Sequence, residues 1–351
     1  MLPALLISSR ELSWRRRRFV IATLSAGLLL GLALLLSGIS ASFDNEIDRT
    51  ARSFHADAWF VRTGSIGPFT APATFAESDV AAVRRLPGVR RAAPTVLVSA
   101  TMTSPRVRLV NVTGIVPGGA GALTAGADFR PAPGEAAADS SLGVGRGRAL
   151  VVNGIPLRVV RVTHGRTYFG GTPTIVVGLR DAQRIGFGGT PVATAVVAEG
   201  VPRRPATGFT TLSNADVRHD LARPIAGAKG TISLIRWLLW IVAAAIIGAF
   251  VYTSVLERVP QFAVLKGIGL PSWTLLSSLA IEATILAAGA AVLGIAFEAV
   301  MQAAVAIPVE VPALSYLSLP LVAVVAATLA SALAFRRVIR IDPALAFRGA
   351  G

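Results

Sequence analysis

Leu256-Glu257-Arg258-Val259-Pro260-Gln261-Phe262-Ala263-Val264-Leu265-Lys266-Gly267-Ile268-Gly269 is a short charged interruption between two long apolar runs. Phe262, Leu265 and Ile268 recur at helical spacing and share one face. Gly267 and Gly269 are placed to stop a helix, and Pro271 to restart the chain. The stretch therefore reads as a small amphipathic helix at a membrane surface, tied to a span at each end. Periodicity leaves two roles open. It could rest among lipid headgroups, or it could be a handle through which a partner moves both spans.

The runs around it define the fold class. The chain is 53% hydrophobic with a mean hydropathy of +0.64, above the roughly 45–50% of soluble domains. Four segments reach the ~20 residues that cross a bilayer core: 19–41, 236–256, 272–297 and 316–335. Each is expected as a continuous helix, because backbone groups in lipid must be satisfied internally. The apolar stretch that opens the chain exceeds the roughly 7–15 residues of a cleaved signal and reads as an anchor, despite the hint of a twin-arginine motif at Arg17-Arg18-Phe19-Val20. The expectation is an α-helical membrane protein with four transmembrane helices and an α+β extracytoplasmic domain, 42–235, between the first and second.

Basic residues set the orientation. Arg10 and Arg15 to Arg18 lie in segment 1–18, Arg258 and Lys266 in 257–271, and Arg336, Arg337, Arg340 and Arg348 in 336–351. The connection 298–315 has no Lys or Arg. Both termini and 257–271 are thus expected in the cytoplasm, with 42–235 and 298–315 outside. The 22 basic and 13 acidic residues of 42–235 do not oppose this, since long domains translocate largely regardless of charge.

Several function classes drop out. The net charge is +15, yet no compact basic module with interleaved aromatics exists, so nucleic acid is not an expected partner. The tightest cluster, Arg15 to Arg18, abuts a span and suits anionic lipid. There are no cysteines, which excludes disulfides and thiolate chemistry. His55, His164 and His219 lack metal-ligand spacing, and no nucleophile elbow is present. Neither Lys229 nor Lys266 stands in a phosphate-cradling Gly-rich loop, so no cofactor is expected in this chain.

The interval 42–235 reads as mixed α/β. Strands are expected at 57–62, 96–98, 107–115, 174–177 and 192–197. A helix is expected at 77–86 with Ser78 as N-cap, and a helical turn at 180–185. Ala149 to Val160 carries Asn153-Gly154 between apolar runs, the signature of a tight hairpin. Residues 117–134 read as a surface loop. Within the spans, Gly27 and Gly31 form a GxxxG pair that suits a dimer contact, while Gly289 and Gly294 suit packing within the chain. Glu282 is costly in lipid and must face protein or a wet cavity.

The 256–269 segment resembles the coupling signature of the FtsX-like, MacB-type ABC transporter permeases. Glu257, Arg258, Phe262, Ala263, Leu265, Lys266 and Gly269 fall in register, while Pro260 departs from the usual polar residue. Ile341-Asp342-Pro343-Ala344-Leu345-Ala346-Phe347-Arg348 is similar to the family's C-terminal tail, and Glu282 to its early span-three Glu. The order of one span, a large outer domain and three spans matches the four-span, DevC-like members. The resemblance implies that Glu257, Arg258, Phe262, Ala263, Leu265, Lys266, Ile268 and Gly269 dock on a separate ATPase subunit, which binds ATP and magnesium. It implies a second permease copy, homo- or heterodimeric, in a bacterial plasma membrane, and a chain that is not itself an enzyme. Expected work is extrusion of a lipid, peptide or drug-like substrate. The alternatives are force transmission to a cell-wall hydrolase, or a membrane-anchored binding protein with no ATPase. An extracytoplasmic partner protein fits the first alternative.

Overall fold

The computed structural model describes residues 16–119, 129–267, 272–304, 309–317, 321, 324–325 and 328–329. The elements in chain order are α1 (Arg16–Ser53), β1 (Ala58–Arg62), β2 (Phe75–Ala76), α2 (Val80–Arg84), β3 (Arg91–Ser104), β4 (Arg108–Ile115), β5 (Glu135–Asp139), β6 (Ala149–Val152), β7 (Ile155–Thr163), β8 (Thr167–Tyr168), β9 (Thr172–Gly178), α3 (Leu179–Phe187), β10 (Val192–Ala193), β11 (Ala195–Glu199), β12 (Phe209–Leu212), α4 (Asn214–Gly267) and α5 (Ser272–Ala304). They fall into two compact units, 43–228 and the combined 1–42 with 229–351.

The 43–228 unit is built on one sheet in the order β12-β1-β11-β3-β4-β9-β5-β7-β6, and β6 returns to pair with β3. Strands β3, β4, β9, β5, β7 and β6 therefore close on themselves, which leaves no free edge among the six. Alternate residues of all six form one core: Val96, Ala100, Val110, Val112, Ala136, Ala138, Leu150, Val152, Leu157, Val159, Ile175 and Val177. Helix α3 adds Leu179, Ala182 and Ile185 to it. The β6–β7 hairpin turns at Asn153 (φ 45°) and Gly154 (φ 80°), the left-handed pair that a two-residue turn requires.

The other half of the sheet is buried on both faces, following the period of two along a strand. Trp59 and Val61 of β1 join Ala195 and Val197 of β11 on one face, while Ala58, Phe60, Val196 and Ala198 face the other way. The first face is covered by the end of α1 (Ile47, Ala51) with Phe54 just beyond it, and by the start of α4 (Val217, Leu221, Ile225), at the three- and four-residue spacing of one helix face. Trp59 is fully buried against Phe54 at 4.8 Å and Phe69 at 5.8 Å between ring centroids. Its indole N–H donates to Asn214 Oδ1 (3.2 Å), and Asn214 Nδ2 donates to the Ala56 carbonyl (2.8 Å).

Two buried carboxylates fasten these helices to loops. Glu46 accepts from the backbone N–H groups of Gly170 and Gly171, each at 2.9 Å. Asp220 accepts from the N–H of Phe69 (2.8 Å) and Thr70 (3.4 Å) and from the Thr70 hydroxyl. Gly67 lies so close to that carboxylate that a Cβ has no room.

The unit formed by 1–42 and 229–351 is helical. Ala22, Ala26, Leu30 and Leu34 of α1, Ala243, Ile247 and Val251 of α4, and Ala283, Leu286, Ala287 and Ala290 of α5 make its core. The outward faces stay apolar: Ile21, Leu28, Trp237, Ile241, Val292 and Val300 are all exposed. Apolar side chains on the outward faces, with alanines among the larger residues where the helices meet, is an arrangement suited to lipid. Among the described residues, α1, α4 and α5 are long and apolar enough to cross a membrane. The fourth expected span, 316–335, lies mostly outside the described residues.

Some expectations change. The helices containing the first two spans extend well past the apolar runs, to Ser53 in α1 and back to Asn214 in α4, because amphipathic stripes continue them over the sheet. Ser78 is not an N-cap; it sits inside a 3₁₀ turn, Glu77–Asp79, and neither that turn nor α2 has a side-chain cap. The 192–197 strand is two strands in different sheets, β10 and β11, split where Thr194 donates its N–H to the Thr95 carbonyl (3.0 Å).

Candidate coupling site at one end of the helical bundle

Helix α4 continues through residues 257–267 without interruption and ends at Gly267; α5 opens at Ser272, just after Pro271. The segment expected as a separate small helix is thus, as far as Gly267, the last turns of the helix that holds the second span. Pro260 lies within it, where it removes one backbone donor. The side chains of Arg258, Phe262, Ala263, Leu265 and Lys266, and all of Ile268 and Gly269, lie outside the described residues.

Glu257 stands at the head of this segment and is ion-paired with Arg18, at the start of the apolar run of α1. Next to Arg18, Phe19 meets Phe250, seven residues before Glu257, edge-on at 5.9 Å. These contacts bring the beginning of the first span to the end of the second, so the two helices run antiparallel there. Both partners of the ion pair are solvent-accessible, at 69% and 34% of their side chains. Such a pair contributes ~0–1 kcal/mol to stability, so its value is positional.

The other end of the apolar run of α1, around Gly38 and Ser42, meets the connection after α5. The Glu310 N–H donates to Ser42 Oγ (2.9 Å), Gln302 Nε2 donates to the Val309 carbonyl (2.5 Å), and Gly38 leaves no room for a Cβ beside Val309 and Val311. Glu298 is buried there; the Tyr316 hydroxyl donates to one carboxylate oxygen at 3.1 Å, and the other has no hydrogen-bond partner among the described residues. Arg17 and Arg18 therefore mark one end of the bundle, and the Lys- and Arg-free 309–311 stretch the other.

The remaining intramembrane candidates resolve within the chain. A Cβ on Gly27 would stand 2.9 Å from Leu293 Cβ, and one on Gly31 would stand 2.6 Å from the Gly294 carbonyl oxygen. The face expected to meet a second copy is filled by α5 of the same chain. Glu282 is buried beside Ala283 and Leu286. Among the described residues no group of three or more His, Asp or Glu is arranged to hold a metal ion. Sequence reasoning passed over Glu46, Asp220 and Glu298. Asp220 had a legible signal, a carboxylate beside the Val217–Leu221–Ile225 stripe; the Arg18–Glu257 pairing had none.

Comparison with known proteins identifies the class. Residues 233–343 match the family described as FtsX-like permease C-terminal. The ABC transporter permease Rv2563 of Mycobacterium tuberculosis (strain ATCC 25618 / H37Rv) is 37% identical over 342 residues, covering 97% of this chain and 98% of that protein. The permease Rv0072 of the same strain is 36% identical with the same coverage. This chain belongs to the FtsX-like family of ABC transporter permeases. Two solved structures are also similar: the extracellular domain of the noncanonic ABC-type transporter YknZ from Gram-positive bacteria (15% identity, TM-score 0.31, 42% of this chain and 84% of that chain) and the periplasmic region of MacB from Actinobacillus actinomycetemcomitans (10%, 0.33, 46% and 91%). Membership in an ABC permease family implies a partner ATPase.

Proposed function

We propose that this chain is the four-span membrane subunit of an ABC exporter, driven through residues 257–269 by a separate ATPase that binds ATP and magnesium. The observation that carries this reading is the continuity of α4. A single helix holds Asp220 near its start, the second span in its middle and Glu257 to Gly267 at its end. A push on the last turns would travel along hydrogen-bonded backbone rather than across a loop. The Arg18–Glu257 pair supports sharing that displacement with the first span. Two copies and two ATPases would form the complex in a bacterial plasma membrane, with 257–271 and both termini in the cytoplasm. Conformational work on the outside would then extrude a lipid, peptide or drug-like substrate.

The test is co-purification. Phe262→Asp with Leu265→Asp is expected to abolish recovery of the ATPase with the full-length permease while leaving the permease monodisperse in detergent. Undiminished ATPase recovery would overturn the coupling role. A single cysteine at Gly269, unambiguous because the chain has none of its own, is expected to react with an impermeant maleimide only in inside-out vesicles. Labelling from outside would reverse the topology.

A further inference from the structure

The turn that joins α2 to β3 (85–90) and the turn that follows β11 (200–204) are locked into one knob. The Arg90 N–H donates to the Glu199 carbonyl and the Arg203 N–H to the Pro87 carbonyl, each at 2.8 Å. Gly88 and Gly200 take φ of 95° and 93°, and their backbones touch. A Cβ on Gly200 would stand 2.2 Å from the Gly88 carbonyl oxygen, and one on Gly88 would stand 2.3 Å from that of Val201. Pro87, Pro202 and Pro205 fix φ at three further positions. Asp57, just past the end of α1, ties the knob there: it accepts from the Gly200 N–H (2.7 Å) and from the Arg90 guanidinium (3.2 Å). Roughly 15 Å of helix lies between that end of α1 and Phe43, where the chain enters the unit.

The knob is strongly cationic. Arg84, Arg85, Arg90, Arg91, Arg203 and Arg204 stand on it, against Asp57 and Glu199. Both carboxylates are occupied: Asp57 as above, and Glu199 by two bonds from Arg91 at 2.6 and 3.1 Å. Arg84 Nε donates to the Ala92 carbonyl (3.0 Å). Arg85, Arg203 and Arg204 are exposed, and none of them enters an ion pair among the described residues. Val201, two residues before Arg203, is 65% exposed. Guanidinium groups rooted on clamped backbone repel one another, and salt only screens the effect.

We infer that this knob is a docking surface for an acidic polypeptide segment that also carries an apolar side chain. Its carboxylates would meet Arg85, Arg203 and Arg204, and its apolar group would cover Val201. Guanidinium groups match carboxylates in two-bond geometry, and arginine beside an apolar centre is the composition of protein interfaces. The clamped turns lower the cost of ordering the surface on binding. Val201 favours polypeptide over a bare polyanion, which has nothing to place on it. The inference does not rest on the coupling role of 257–269, and its test contains no ATPase.

The probe is a fluorescent random copolymer of glutamate and leucine, with polyglutamate and polyphosphate beside it. Anisotropy is read on the full-length chain in phosphatidylcholine nanodiscs. Saturable binding of the copolymer is expected, weakening as salt rises. Arg85→Gln with Arg203→Gln and Arg204→Gln, which keeps much of each stem and removes the charges, is expected to weaken it about ten-fold or more. Arg106→Gln with Arg146→Gln and Arg148→Gln removes the same charge from other exposed positions of the unit and is expected to change it less than about two-fold. Val201→Ser is expected to weaken the copolymer and leave polyglutamate as it was. Equal losses in the two triple variants would mean diffuse attraction to a basic chain and no docking surface. Polyphosphate bound as tightly as the copolymer, with Val201→Ser silent, would replace the polypeptide by a plain polyanion and defeat the inference.

Discussion

Gly294 turns its carbonyl oxygen to within 2.6 Å of the point where a side chain on Gly31 would begin. The relation is reciprocal, since a Cβ on Gly294 would stand 3.1 Å from the Gly27 carbonyl oxygen and from the Gly31 amide nitrogen. Backbone meets backbone here, the close approach that small residues allow in membranes. The bundle of α1 and α5 is therefore set by what these positions lack.

Gly31→Leu should loosen the bundle. Overpacking of this kind costs ~1–3 kcal/mol, and here the obstacle is backbone, which cannot step aside. The expected result is a lower Tm of the detergent-solubilised chain by fluorescence-detected size exclusion. Gly230→Ala, in α4 with open space around it, is the control and should be neutral or stabilising by up to ~1 kcal/mol.

Asp220→Ala should destabilise the 43–228 unit more than any exposed carboxylate does. It leaves the Phe69 and Thr70 amides without their acceptor, at ~1–3 kcal/mol for each buried donor left unpaired. Asp48→Ala, which breaks half-exposed ion pairs with Arg52 and Arg218, should cost less than ~1 kcal/mol. Thermal denaturation of the two variants side by side checks the ranking. Equal losses would mean that the Asp220 grip is not a main fastening.

Glu257→Ala should separate stability from coupling. Removing an exposed ion pair shifts Tm by the equivalent of less than ~1 kcal/mol. ATP hydrolysis by the reconstituted complex should nevertheless fall, and the charge-swapped pair Arg18→Glu with Glu257→Arg should recover part of it. Unchanged hydrolysis in Glu257→Ala would remove this residue from the coupling segment.

Helix α4 opens with a reciprocal cap, and its acid sensitivity follows from the sign of one shift. The Ser213 hydroxyl and N–H both donate to Asp216 Oδ2, at 2.7 and 2.8 Å. These bonds hold the Asp216 carboxyl below its ordinary value against a small opposing effect of burial. The stabilisation is therefore present above the ordinary carboxylate pKa of ~3.9 and is lost as pH falls below it, through the folded value. Asp216→Asn should flatten that acid limb of Tm against pH. Ser213→Ala should lower Tm across the neutral range, by the equivalent of ~1 kcal/mol.

What the sequence disclosed depended on how local the physics was. The Asn153-Gly154 hairpin was legible because two adjacent left-handed residues determine it. The three long apolar helices among the described residues were legible because twenty apolar residues have few alternatives. Strand β5, Glu135-Ala-Ala-Ala-Asp139, was not. Alanine favours helix, and only its neighbours β7 and β9 make it a strand. Strand β3 hid its length in the same way. Val96 to Val98 stood out, but pairing with β11, β4 and β6 carries the strand from Arg91 to Ser104 and straight through Pro94. At the candidate site, residues 257–269 were found from their own pattern, whereas Arg18 becomes their neighbour only through the packing of α1 on α4.

Glu46 and Asp220 hold their loops by peptide N–H groups, and every residue except proline supplies one. Those bonds do not depend on side-chain identity, but Phe69 is buried against Trp59, the Thr70 hydroxyl also reaches Asp220, and Gly170 and Gly171 take positive φ, so each loop is held in more than one way. An acid on each helix and a bare α-carbon at Gly67 are necessary to this fastening and are not the whole of it. The grip on α1 and α4 is thus spread over backbone, ring packing and turn geometry, so that no single side-chain change in these loops removes all of it.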